Sequence, residues 1–165
     1  MDLNYKILIK NSSLILAVTG ISMIPSIICA AVYGETTCLK AFAFFFVLFT
    51  AAGFLIYKAV PARYSHISAR DGFLIVAACW IVSCLFGAFP YMFSGEGFTF
   101  AQSVFESTAG FTTTGATSVS GFLGPKSLIL FKAVAHWLGG MGILILAVSI
   151  LPALGIGGQN IAKAE

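Results

Sequence analysis

Long apolar segments alternate with short polar interruptions along this chain. Apolar runs extend from about Ser12 to Val32, Leu39 to Val60, Gly72 to Phe93 and Ser127 to Leu151. Each is long enough to cross a bilayer core, which takes about 20 residues of helix. The first interruption, Tyr33-Gly34-Glu35-Thr36-Thr37, is short, so the two runs around it predict an antiparallel helical hairpin. The second, PARYSHISARDG from Pro61 to Gly72, is the most basic loop. After the turn Ser94-Gly95-Glu96-Gly97 the pattern changes. Thr99 to Ala109 has helical character, but at 1.5 Å per residue it reaches only about half the hydrocarbon thickness. Hydroxyls and glycines then crowd together in FTTTGATSVSG, and the last apolar run follows. In the tail, Pro152, Gly155, Gly157 and Gly158 disfavour a regular helix.

The predicted fold is an all-α membrane protein. A transmembrane helical hairpin covers residues 1–62, and one membrane helix–pore helix/loop–membrane helix repeat covers residues 63–165, with a candidate filter loop at 111–117.

Composition strengthens this reading: 59% of residues are hydrophobic and 9% charged, with a mean hydropathy of +0.99. The net charge of +3 does not point to nucleic acid. Lys and Arg stand mostly at segment ends, and no nucleic-acid-binding motif is present, so the lipid bilayer is the first partner. Lys6, Lys10, Lys58, Arg63 and Arg70 gather at the ends that share one side, whereas the opposite turns carry Glu35, Glu96 and Lys126. The positive-inside rule then places the N-terminus and the Pro61–Gly72 loop in the cytoplasm. Cys29-Ala30-Ala31 offers small residues for a signal-peptide cleavage site. The long first run and Pro25 within it favour a retained helix. Cys29, Cys38, Cys79 and Cys84 form no metal-binding pattern; three read as apolar fillers, and Cys38 as a free thiol in a short loop. His66 and His136 fall on opposite sides of the membrane and no catalytic cluster forms, so neither an enzyme nor a cofactor is expected.

The polar run has a specific physical use. Irregular backbone at membrane depth is tolerated where it is buried in protein or lines water. A short helix that dips in and returns as an extended loop lines a pore with carbonyls, which replace the hydration shell of a monovalent cation. The negative end of such a helix, near Gly110, favours a cation. Gly115 gives the backbone freedom to turn carbonyls inward, and Thr112, Thr113 and Thr114 add hydroxyls and β-branched stiffness. The candidate ion-binding set is Thr112, Thr113, Thr114, Gly115 and Ala116, with potassium on the backbone carbonyls of Thr113, Thr114 and Gly115. Glu106 is expensive at membrane depth and reads as a filter brace or field-shaping charge. Lys132, on one face with His136, either pairs with Glu106 or snorkels to the outer interface. His136 reads as a packed, hydrogen-bonded side chain. Gly139, Gly140 and Gly142 predict close packing against the pore helix.

FESTAGFTTTGATSVSG and WLGGMGILILAVSILPALGIGG together resemble the first pore repeat of the Trk/Ktr/HKT superfamily, and most of all its bacterial TrkH/TrkG potassium-uptake subunits. The preceding two helices resemble the N-terminal pair of those subunits. The resemblance implies potassium as the transported ion and Gly115 as the filter glycine. It also implies residence in the bacterial inner membrane, a homodimer of the full-length protein, and a cytoplasmic nucleotide-binding ring of the TrkA type as regulatory partner. That family builds its pore from four repeats on one polypeptide, and this chain holds one. The expectation is therefore an N-terminal piece of such a subunit. The alternatives are a self-assembling cation channel and a non-conducting membrane scaffold or accessory protein.

Overall fold

The computed structural model describes residues 5–61, 69–118 and 124–153, with side chains of the last helix described through Ile145. Among them are seven helices: α1 (Tyr5–Ile21), α2 (Ile24–Tyr33), α3 (Thr36–Ala59), α4 (Ala69–Phe86), α5 (Phe89–Met92), α6 (Phe100–Phe111) and α7 (Lys126–Ala153). Four stretches are long and apolar enough to cross a membrane: Tyr5–Tyr33, Thr36–Ala59, Asp71–Met92 and Lys126–Ile145. The order is the predicted one of hairpin, span, short helix, loop and span. Arg63, Ser65 and His66 of the basic loop, and the tail beyond Ala153, lie outside the described residues.

Two proline residues divide the spans. Pro25 sits in the first turn of α2 and Pro90 in the first turn of α5. Neither position needs a backbone N–H donor, so each proline opens a new helix at little cost. The first run is thereby two helices, and its Cys29-Ala30-Ala31 lies inside α2 with Ala30 fully buried.

The turn between α2 and α3 is tighter than the sequence predicts. Gly34 takes a left-handed conformation (φ 72°), and its N–H and that of Glu35 both bond the Ala30 carbonyl. Helix α3 then starts at Thr36. Cys38 is consequently not a loop thiol. It lies in the first turns of α3, 2% exposed, with Sγ donating to the Ser94 carbonyl at 3.6 Å.

Helices α1 and α3 pack through small residues. A Cβ on Gly20 would lie 2.6 Å from Thr50 Oγ1, and one on Gly53 would lie 2.7 Å from the Ala17 nitrogen. At the far end of the hairpin from Gly34, Lys10 Nζ sits 4.7 Å from the Tyr57 ring centroid. An aromatic core joins the hairpin to the repeat. Phe42 and Phe131 are fully buried and meet edge to face at 5.3 Å; Tyr91 lies 5.7 Å from Phe131, and Phe49 meets Phe86 at 5.3 Å. Such pairs contribute about 0.5–1.5 kcal/mol each beyond their buried area. Outward, α3 exposes Phe44, Val47 and Leu55, an apolar face suited to acyl chains.

Candidate functional site

Helix α6 is built to begin and end sharply. Thr99 caps its N-terminus in a reciprocal box: the Thr99 N–H donates to Gln102 Oε1 (2.9 Å) and the Gln102 N–H to Thr99 Oγ1 (3.3 Å). Its twelve residues span about 18 Å at 1.5 Å each. Ser103, Glu106, Ser107 and Gly110 line its buried face at helical spacing.

Three glycines let α6 lie close to its neighbours. A Cβ on Gly139 of α7 would overlap the Phe111 carbonyl oxygen, and one on Gly87 would meet Ser107 Oγ at 2.6 Å. Gly110 faces Ala135, where an added Cβ would stand 3.3 Å from the Ala135 methyl. The predicted packing of the mid-α7 glycines against the pore helix therefore holds at Gly139. Gly142 instead faces Trp80, and Gly140 is 3.8 Å from Thr113 Cγ2 by the same measure.

At its C-terminus α6 closes in a Schellman motif. The Thr113 N–H donates to the Gly110 carbonyl (3.0 Å) and the Thr114 N–H to the Ala109 carbonyl (3.1 Å). The left-handed residue is Thr113, at φ 57°, not a glycine. A β-branched residue there is a real backbone outlier, of a kind that costs about 1–3 kcal/mol and clusters at functional sites. Gly115 is left-handed as well, at φ 73°. Its N–H shares the Ala109 carbonyl with that of Thr114 (3.2 Å). Thr112 Oγ1 donates to the Thr108 carbonyl at 2.7 Å and lies 2.8 Å from Thr114 Oγ1. Among the described residues, no hydrogen bond is made to the carbonyls of Thr112, Thr113, Thr114 or Gly115.

The loop leaves this run under a clamp. Lys132 Nζ donates both to Glu106 Oε2 (2.6 Å) and to the Ala116 carbonyl (2.6 Å). Glu106 Oε1 accepts from Thr117 Oγ1 (2.8 Å), the Ser118 N–H (2.6 Å) and Ser118 Oγ (2.9 Å). Glu106 is 3% exposed and Lys132 22%, so the pair is largely withdrawn from solvent. A buried carboxylate is tolerated when paired and fully hydrogen-bonded, and here both oxygens are used.

The predicted residues thus come together. Lys132 pairs with Glu106 rather than snorkelling away from it, and the two tie α6, α7 and the loop at one point. The Ala116 carbonyl differs from the other four candidates because the Lys132 ammonium occupies it. His136 packs near Gly115, where an added Cβ would lie 3.5 Å from His136 Cε1. Sequence reasoning missed Thr117 and Ser118 as donors to Glu106, although both belong to the hydroxyl run it singled out. It also missed Thr113 as the left-handed helix cap, because threonine carries no signal for positive φ.

Comparison with known proteins bears on the family and the fold. Residues 36–165 match the family model for TrkH, the cation transport protein. The chain is 35% identical to the Trk system potassium uptake protein TrkH of Halomonas elongata, over 99% of this chain and 34% of that protein. It is 36% identical to the protein of the same name from Escherichia coli, over 92% of this chain and 32% of that one. The crystal structure of the potassium transporter TrkH from Vibrio parahaemolyticus superposes with a TM-score of 0.84 at 32% identity, covering 98% of this chain and 36% of that chain. The chain therefore spans about a third of the length of these relatives. On this evidence of sequence and fold, it belongs to the TrkH family of cation transport proteins.

Proposed function

We propose that this chain is the N-terminal part of a Trk-type potassium uptake subunit and supplies one of four sides of its selectivity filter. One observation carries the reading. Four consecutive carbonyls, Thr112 to Gly115, make no hydrogen bond among the described residues, while the backbone on both sides of them is tied down. Carbonyls held rigidly and left unpaired are what a partly dehydrated cation requires. The carbonyls of Thr113, Thr114 and Gly115 face potassium in this proposal, Thr112 adds its oxygens at the helix end, and Ala116 anchors the loop through Lys132. Residues 1–62 form the supporting hairpin and 63–165 the pore repeat, whose filter loop is 111–117.

One loop cannot close a ring of carbonyls. Three further repeats complete it, on the same polypeptide in this proposal, as the share of the relatives' length covered by this chain supports. The N-terminus faces the cytoplasm of a bacterial inner membrane, given the placement of Lys6, Lys10 and Lys58. A homodimer and a TrkA-type nucleotide-binding ring on the cytoplasmic side belong to the proposal by family alone.

The test is Gly115→Ser in the complete transporter, read by potassium/sodium competition at matched expression. An added Cβ at Gly115 meets only the His136 ring, at ordinary contact distance, so the cost is conformational. A side chain at φ 73° is strained by about 1–3 kcal/mol. The loop relaxes by rotating the 115–116 peptide, which turns one carbonyl out of line. Selection of potassium over sodium is expected to fall while the folded yield stays close to normal. Unchanged selectivity at normal yield would show that Gly115 is an ordinary loop glycine.

A further inference from the structure

Glu35 lies in the turn between α2 and α3, far in sequence from the loop. It occupies the N-cap position of α3, yet its side chain makes no capping bond to α3. The carboxylate is turned instead onto the start of α7. Oε1 accepts the Lys126 N–H (2.6 Å), and Oε2 accepts the Ser127 N–H (3.1 Å) and the Ser127 hydroxyl. Helix α7 has no carboxylate or hydroxyl of its own at its N-cap, which is Pro125, whose carbonyl accepts the Leu128 N–H (3.0 Å). Its first free N–H groups and its positive dipole end are thus satisfied from another element.

A second contact fixes the same point: Lys126 Nζ lies 3.9 Å from the centroid of the Tyr33 ring. One turn further along, Leu128 and Phe131 are buried, Phe131 against Phe42 of α3. The next residue is Lys132, about 9 Å along the axis from Lys126 at 1.5 Å per residue. Lys132 holds Glu106 and the Ala116 carbonyl together. An unbroken series of contacts therefore runs from the hairpin, through the start of α7, to the end of the loop.

We propose that Glu35 is a positioning residue for the filter: by gripping the first two residues of α7 from the α2–α3 turn, the N-terminal hairpin sets the depth and rotation of that helix and so the place of Lys132 at the Ala116 carbonyl. The inference rests on the filter reading above, and it gives the N-terminal hairpin outside the pore repeat a specific task. A helix that slides or turns by a fraction of an ångström moves an ammonium that is hydrogen-bonded at 2.6 Å to two groups at once. Glu35→Ala removes the grip. Glu35→Gln keeps one acceptor oxygen but replaces the other with a donor facing the Ser127 N–H, and it removes the charge that favours the helix N-terminus.

The experiment separates position from mere capping. Pro125→Asp gives α7 a local N-cap, since an aspartate there accepts from N–H groups of the first turn. In the complete transporter, Glu35→Ala and Glu35→Gln are compared with and without Pro125→Asp, and Gly115→Ser serves as the filter control. Thermal stability and potassium/sodium competition are both read. Each Glu35 variant is expected to lower potassium preference about five-fold, the factor that an interaction of cap strength carries. Pro125→Asp is expected to return thermal stability without returning selectivity. Selectivity that returns together with stability would reduce Glu35 to a replaceable helix cap and overturn the inference. So would unchanged selectivity in both Glu35 variants while Gly115→Ser loses it. If Gly115→Ser also keeps normal selectivity, the filter reading itself fails, and this inference falls with it.

Discussion

Breaking the Glu106–Lys132 pair is the sharpest test of how the loop is held. Lys132→Met keeps the length and apolar stem of the side chain and removes the ammonium. It leaves a carboxylate that is 3% exposed without its counter-charge, and it frees the Ala116 carbonyl. Removing one partner of a buried pair costs about 3–5 kcal/mol. Two features lower that figure here. Lys132 is 22% exposed, and three of the four hydrogen bonds to Glu106 remain, from Thr117 and Ser118. A cost of about 2 kcal/mol is therefore expected. Glu106→Gln produces a different conflict. If its amide oxygen keeps the Thr117 and Ser118 donors, its amide nitrogen points at the Lys132 ammonium, donor against donor. Combining the two substitutions removes that conflict, so the double variant should be less destabilised than the sum of the singles by about 1–2 kcal/mol. The assay is a double-mutant cycle on unfolding of the chain in detergent, with potassium/sodium competition of the complete transporter beside it. Costs that add to within about 0.5 kcal/mol would show that the pair is not coupled in the folded protein and would refute the clamp.

Three other outcomes follow from particular contacts. Gly139→Ala places a methyl on the Phe111 carbonyl and should destabilise the α6–α7 packing by about 1–3 kcal/mol, whereas Gly142→Ala, whose Cβ would meet Trp80 at 3.6 Å, should be near neutral; equal melting temperatures would contradict the close approach. Glu35 is raised by partial burial, but hydrogen bonds from the Ser127 hydroxyl, the Ser127 N–H and the Lys126 N–H, with the Lys126 charge, bring it below its ordinary 4.5. A depressed folded value means that its contribution is present above the unfolded value and is lost as pH falls through the folded one. Melting temperature should therefore drop more steeply below about pH 4.5 in the natural chain than in Glu35→Gln, and parallel acid profiles would contradict this. Ser65→Cys should be labelled by an impermeant thiol reagent only from the cytoplasmic side, and labelling only from outside would invert the topology.

Much of the fold was legible because bilayer thickness acts on sequence directly. A run of about 20 apolar residues has few alternatives to a spanning helix, since every backbone group must be satisfied within it. The half-length of α6 was legible for the same reason. Boundaries were less so. The start of α3 depended on Gly34 adopting positive φ, which moved Cys38 from an expected loop into a buried helical turn. Glu106 stood out because a carboxylate is costly at that depth, and the structure gives it four donors. The partner of Glu35 could not be read at all. Glu35 and Ser127 are 92 residues apart, and nothing in an exposed Gly-Glu-Thr turn indicates that its carboxylate serves a distant helix.

The loop illustrates how a backbone can be rigid without bonding to itself. In a helix or strand, carbonyls are fixed by accepting hydrogen bonds, and a carbonyl fixed in that way has less to offer an ion. Here the donors do the fixing. The N–H groups of Thr113, Thr114 and Gly115 are all directed back to the last carbonyls of α6. Beyond them, Lys132 takes the Ala116 carbonyl and Glu106 takes the N–H of Ser118. The peptide planes of the Thr112, Thr113 and Thr114 carbonyls are thereby held from their N–H sides, the Ala116 carbonyl is held just beyond Gly115, and among the described residues the four oxygens accept no hydrogen bond. Two left-handed residues, Thr113 and Gly115, are what this arrangement demands of the backbone. Thr112, Thr114 and Gly115 are exposed in this structure, so their unpaired carbonyls carry no burial penalty and stand open to water or to a cation. In the proposed filter a cation takes the place of that water, and only a ring of such loops would supply enough oxygens to replace its hydration shell. The local hydrogen bonding of this one loop thus suits the proposed filter, in which further loops would have to supply the remaining oxygens.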